Sequence, residues 1–215
     1  MPSTVSQILL SIFFLTIVYL HVVKKNFDAA AMYSVQSFVI VLLWLNAYLE
    51  TREMSLLLVA ILVCIVKVIL APAFFIRLMQ RHQVKFSAST YLNTPLTLIS
   101  ISLLTAVAYS SVLRPLTSIV PAHQTLLSIA LASMFIALFL TINRKGALSQ
   151  IIGILSLENS IVAFALFAGL EQSFALQVGV LFTVSVWIII ATIFISMLYR
   201  HFGSFDVTEM NQLQD

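Results

Sequence analysis

Apolar runs long enough to cross a bilayer follow one another along almost the whole chain, separated only by short polar breaks. A spanning helix needs about 20 mostly apolar residues, because a rise of about 1.5 Å per residue must cover a hydrocarbon core of about 30 Å. Seven runs meet that length: Thr4 to Val23, Ala29 to Leu49, Ser55 to Met79, Leu92 to Val112, Thr125 to Ile142, Leu148 to Leu170 and Phe174 to Tyr199. The breaks carry charges and turn formers: KKNFD, ETRE, QRHQVKFSAS, LRPLTSIVPAHQ, NRKG and EQS, ahead of the tail RHFGSFDVTEMNQLQD. With 215 residues, 61% of them hydrophobic and 9% charged, little chain remains for a soluble domain, in which about 25% of residues are charged. The sequence therefore predicts an all-α polytopic membrane protein with seven transmembrane helices. The first run has no basic flank before it and no small-residue cleavage pattern after it, so it reads as a retained helix rather than a secretory signal.

The charges that remain sort by loop. Lys24, Lys25, Arg81, Lys85, Arg144, Lys145 and Arg200 fall in loops one, three and five and in the tail, with Arg77 just inside helix three; loops two and four hold Arg52 and Arg114. Loops rich in lysine and arginine stay in the cytoplasm. The reading is an amino terminus outside and a carboxyl terminus in the cytoplasm, as an odd number of crossings requires. The pI of 9.2 follows from the same scattered loop residues, which makes the lipid bilayer the basic chain's partner and gives no basic face for nucleic acid. Cys64 is the single cysteine and lies in an apolar run, so a disulfide framework and a cysteine-rich metal or iron–sulfur site are both excluded. No cofactor is expected in this chain.

Two charges break the rule that ionisable groups stay in the loops. Lys67 sits inside SLLLVAILVCIVKVILAPAFFIRLM and Glu158 inside ALSQIIGILSLENSIVAFALFAGL. A charge at the bilayer centre costs about 2.5–3.5 kcal/mol even on the insertion scale, so such residues face a partner or a wet path. On the derived topology Lys67 lies ~18 Å from the outer end of its helix and Glu158 ~15 Å from the inner end of its own, and both reach the midplane. If their helices are neighbours, ammonium and carboxylate offset each other's burial, and an unpaired one shifts toward neutrality, as a proton relay requires. Pro72 supplies a helix break: it lacks an N–H, so the carbonyl four residues earlier, that of Val68, loses its donor and is expected to attract water. Ser156, Asn159, Ser160 and Gln150 flank Glu158 on its helix and would hold a short water wire or bond to adjacent helices.

Plainer readings compete with each of these. Lys67 and Glu158 as a structural ion pair is the alternative to proton transfer, and Asn159, Ser156, Ser160 and Gln36 also read as hydrogen-bonding glue between helices. Cys64 reads as core filler. His21 at the foot of helix one and His123 in the fourth loop read as interfacial or exposed, and Glu50, Arg52 and Glu53 as solvated surface. A retinal protein is excluded by position, since helix seven has no lysine. A small-solute transporter is disfavoured because paired, broken helices are missing and Pro72 is the only proline well inside a span.

The segment NRKGALSQIIGILSLENSIVAFALFAGL carries a resemblance. The basic pair Arg144 and Lys145, the pair Ile152 and Gly153, the triplet Leu157, Glu158 and Asn159, and the ending HFGSFDV from His201 to Val207 resemble the K-type small membrane subunit of respiratory complex I. They resemble still more component E of hydrogenase-4, its longer relative, as do VKVILAP with Lys67 and Pro72, and YSVQS. The resemblance implies a K-like three-helix unit over residues 123–200, helices one to three over 1–90 as a degenerate repeat, a linking helix over 91–122 and a cytoplasmic tail over 201–215. It implies a membrane-arm subunit of a complex I-like or hydrogenase-like assembly in the cell inner membrane. Its partners would be antiporter-like membrane subunits and a hydrogenase-like peripheral module, with nickel–iron and iron–sulfur centres in those chains. The same K-like lineage includes a small component of multisubunit cation/proton antiporters, which stands as an alternative to the hydrogenase-like setting. Glu158 inherits the mid-membrane carboxylate of the proton path. The chain departs from the K-type pattern in two ways. Glu158 falls five residues after the glycine rather than two, and the following helix offers Thr183 and Ser185 where the family has a second glutamate. A Lys67 to Glu158 route is the replacement. Aligning the basic pairs of helices one and five sets Gln36 two residues before the position of Glu158, as though a carboxylate had become an amide that conducts but cannot store charge.

Overall fold

The polar breaks end helices where the sequence places them. A computed structural model describes residues 4–81 and 89–169, with isolated helical positions at 178, 179, 182, 186, 189, 193 and 197. Within these residues α1 spans Thr4–Val22 and α2 Asn26–Thr51. A third helix begins as α3, Met54–Val63, runs on through a π-helical segment, Cys64–Leu70, and ends as α4, Ala71–Arg81. After it come α5, Thr94–Ala108, the short α6, Arg114–Thr117, then α7, Gln124–Asn143, and α8, Ala147–Phe167. No β-strand occurs among the described residues, only an isolated bridge between Thr90 and Arg144.

Five of these helices are long and apolar enough to cross a membrane, and six if the bent pair is counted as one span. The bent pair is the correction to the fourth expected run. Leu92 to Val112 reads as one straight apolar stretch, but the helix stops at Ala108 and resumes at an angle of 49° over Ser111–Thr117. The break falls at Tyr109 and Ser110, ahead of a second helical start that uses Pro115 in its first turn. At its other end α5 is well capped: the Asn93 side chain accepts the Leu96 N–H at 3.1 Å, and Pro95 occupies the first turn. The seventh expected run, with Thr183, Ser185 and the tail, lies outside the described residues except for the isolated positions above.

The hairpins α1–α2 and α7–α8 run side by side in the same direction. Arg144, just past α7, donates to the carbonyls of Leu20 and Val23 at the end of α1. Ser149 near the start of α8 donates to Asn26 at the start of α2 at 2.7 Å, and further along Asn159 donates to Ser37 at 3.0 Å. These pairs are separated by 123 and 122 residues, so the parallel α2 and α8 keep one register along their contact. Close approach of α7 and α8 depends on Gly153, where an added Cβ would meet Thr141 N at 2.9 Å and Thr141 Cα at 3.0 Å.

The third helix packs against α2. Its buried residues include Val63, Lys67, Ala71 and Phe75, spaced by four. In an α-helix each step of four overshoots one turn by about 40°, so such a stripe would wind off the contact face. The wider turn of the π segment, in which Ala71 N–H bonds back to Val66 O, takes up that overshoot and holds Lys67 in line.

Candidate functional site

Lys67 lies thirteen residues from either end of the span Met54–Gln80, at its midpoint. It is 1% exposed. Its ammonium is ion-paired with one carboxylate oxygen of Glu158 and donates to Asn159 Oδ1 at 2.9 Å. Asn159 in turn donates to Ser37, so a single chain of polar contacts runs from the third helix through α8 to α2. Glu158 is less enclosed: its side chain is 20% exposed, which puts it at the edge of the bundle. Its second oxygen, Oε1, is buried and has no hydrogen-bond partner.

The structure thus brings Lys67, Glu158 and Asn159 together and adds Ser37, which the sequence does not single out. Ser34 is a second addition. Its hydroxyl donates to Val68 O at 2.9 Å, the carbonyl that Pro72 leaves without a helical donor, so a side chain from α2 takes the place expected for water. Pro72 itself is buried. The signal for both serines is in YSVQS, where Tyr33, Ser34, Gln36 and Ser37 put four polar groups within two turns of an otherwise apolar helix.

The other expected residues fall nearby without joining the chain of contacts. Gln36 is 0% exposed and neither of its amide atoms has a partner. Ser156 is equally buried and its hydroxyl is unpartnered, while Ser160 bonds back to the Ser156 carbonyl at 2.8 Å. Gln150 donates to the Arg144 carbonyl at 2.8 Å, at the basic end of the bundle. Thr183 lies outside the described residues. Cys64 is partly buried beside the main apolar cluster.

The histidines correct the reading of exposed or interfacial side chains. His21 is buried, stacks on Phe139 and lies with Nε2 3.0 Å from Ile136 O; a carbonyl only accepts, so that nitrogen carries the proton. His123 is half-buried, with Nδ1 3.1 Å from Phe167 O. It lines a cavity of about 260 Å³ at the end of the bundle away from Arg144, together with Ser6, Asn46, Glu50 and Thr51. Asn46 donates to Glu50 there at 3.0 Å. The buried apolar residues Ile40 and Leu43 separate this cavity from Gln36 along α2.

A buried ammonium–carboxylate pair can do one piece of chemistry without help. It shares a proton, because desolvation favours the neutral amine and neutral acid while mutual attraction favours the charged forms. Net transfer needs a further group at the unpartnered carboxylate oxygen. Among the described residues no group of three or more His, Cys, Asp or Glu side chains converges as a metal site would require. Compared with family models, curated proteins and solved structures, the chain matches none.

Proposed function

We propose that this chain is a membrane-arm subunit of a complex I-like or hydrogenase-like assembly in the cytoplasmic membrane, lining part of a proton or sodium path through Glu158 and Lys67. The carrying observation is the ion pair at mid-span whose carboxylate keeps one oxygen unpartnered and an edge exposed. A pair built only for adhesion has no use for either feature, since each unsatisfied buried acceptor costs about 1–3 kcal/mol. The resemblance of NRKGALSQIIGILSLENSIVAFALFAGL to component E of hydrogenase-4 supports the same role. On this reading the chain performs no redox chemistry itself; antiporter-like membrane subunits flank it, and nickel–iron and iron–sulfur centres belong to the peripheral module.

The test is Glu158→Gln in the native assembly. Ion translocation in membrane vesicles is expected to fall by roughly 10²-fold or more, the worth of a positioned proton carrier, with the complex still assembled on a native gel. Glu158→Asp should recover part of it. Unchanged translocation in the glutamine variant sinks the proposal.

A structural spacer is the second reading, and one observation favours it: Lys67 and Asn159 tie three helices together in a single polar chain. On that reading the glutamine variant loses complex and translocation together. The small K-like component of a multisubunit cation/proton antiporter is the third, and the co-purifying chains separate it from the first: antiporter subunits alone, or antiporter subunits with a metal-bearing module.

A further inference from the structure

The register of α2 against α8 has a consequence for the unpartnered polar atoms. Asn26 bonds Ser149 and Ser37 bonds Asn159, so a residue of α2 lies at the depth of the residue 122 to 123 positions later in α8. Gln36 is thereby level with Glu158, and Tyr33 with Ser156. All four carry buried polar atoms that lack a hydrogen-bond partner: both amide atoms of Gln36, the Tyr33 and Ser156 hydroxyls, and Glu158 Oε1. The depths of Tyr33 and Gln36 differ by only ~4.5 Å along the helix axis. On α2 Tyr33 and Gln36 are three residues apart, and on α8 Ser156 is three residues from Asn159, so each belongs to the face that carries the Ser37–Asn159 bond or to its margin.

Buried amides and hydroxyls almost always find partners, and where protein supplies none a bound water does so, given two to four polar neighbours. Here the neighbours include two acceptor-only oxygens, an amide donor and two hydroxyls that serve as either. We propose that α2 and α8 enclose a water-binding site made by Tyr33, Gln36, Ser156 and Glu158. The water it holds donates to Glu158 Oε1 and links that oxygen to the Gln36 amide, on the side of the carboxylate away from Lys67. The use of this water as the group that exchanges a proton with Glu158 rests on the function proposed above, whereas the site itself does not. Gln36 positions the water and stores no charge.

Radiolytic labelling in H₂¹⁸O tests the site in the assembled complex, because radicals born from a bound water mark the side chain beside it. Tyr33 is expected to take up ¹⁸O roughly tenfold faster than Phe13, a residue buried among apolar neighbours. Gln36→Leu should bring Tyr33 down to the rate of Phe13, and Ser156→Ala, a smaller change, gives the same direction if the leucine variant fails to assemble. Tyr33 labelling no faster than Phe13 in the unaltered chain overturns the proposal, as does labelling that neither substitution lowers. The two claims separate cleanly. A labelled Tyr33 with normal translocation in Glu158→Gln keeps the water site and removes its proton role; an unlabelled Tyr33 with lost translocation does the reverse.

Discussion

Lys67 and Arg144 are buried to the same degree, 1% and 2% exposed, yet the two regions they hold are built on opposite terms. Arg144 sits at the basic end, where it donates to the carbonyls of Leu20 and Val23 and so closes the last turn of α1 with a cation. Around it Asn143, Ser89 and Tyr91 join the residue 89–93 strap to α7 and α8 through further bonds. Burial pulls the Arg144 pKa down to about 10, which leaves it charged at neutral pH. Lys67 sits at mid-span, where its partners are ionisable or amide side chains and where Glu158, Gln36, Tyr33 and Ser156 keep polar atoms in reserve. Depth of burial does not distinguish a working charge from a fastening. What distinguishes them is whether the partners are backbone carbonyls, which cannot change state, or groups that can lose or gain a proton.

Substitutions can break this comparison, and the largest effect belongs to the mid-span pair. Lys67→Met leaves a carboxylate buried without its cation and should cost about 3–5 kcal/mol in a detergent unfolding titration. Adding Glu158→Gln should recover more than half of that loss, because a neutral pair is cheaper than a lone charge; no recovery would mean that Lys67 acts through packing alone. Arg144→Gln comes next, with a loss of about 2–3 kcal/mol from its charge-assisted bonds to the α1 carbonyls. Translocation per assembled complex should stay unchanged in that variant, and a change would erase the contrast between the two regions. The smallest is Gly153→Ala. Helix propensity favours alanine by about 1 kcal/mol, but the new methyl meets the Thr141 backbone, which cannot rotate away. A net loss of about 1–3 kcal/mol is expected from overpacking, with translocation spared, and a stabilised variant would show that α7 and α8 can part freely.

The spanning runs are legible in the sequence because hydropathy acts residue by residue, and Lys67 and Glu158 are legible because a charge in such a run is conspicuous alone. Much less is legible wherever the answer lies in a relation between segments. The π segment has no signature of its own; it arises because residues four apart must all face α2. Ser34 and Ser37 look like ordinary small polar residues, and only the register of α2 against its neighbours gives them Val68 and Asn159 as partners. Arg144 reads as a loop charge because its position after α7 is a loop position. That its side chain turns back under α1 depends on the parallel course of the two hairpins. The bend after Ala108 is hidden for a similar reason: the residues on both sides are apolar, so the hydropathy profile runs straight through it.

The π-helical stretch also decides which kind of sequence change the third helix can absorb. A chain shortened by one residue between Cys64 and Leu70 would still form an unbroken apolar rod of spanning length, and its hydropathy plot would scarcely differ. Everything past the cut, however, would turn by about 100°, so that Lys67 and Phe75 could no longer share a side. For this helix a one-residue gap is a graver edit than most replacements, and length within Cys64–Leu70 is itself part of the information the chain carries.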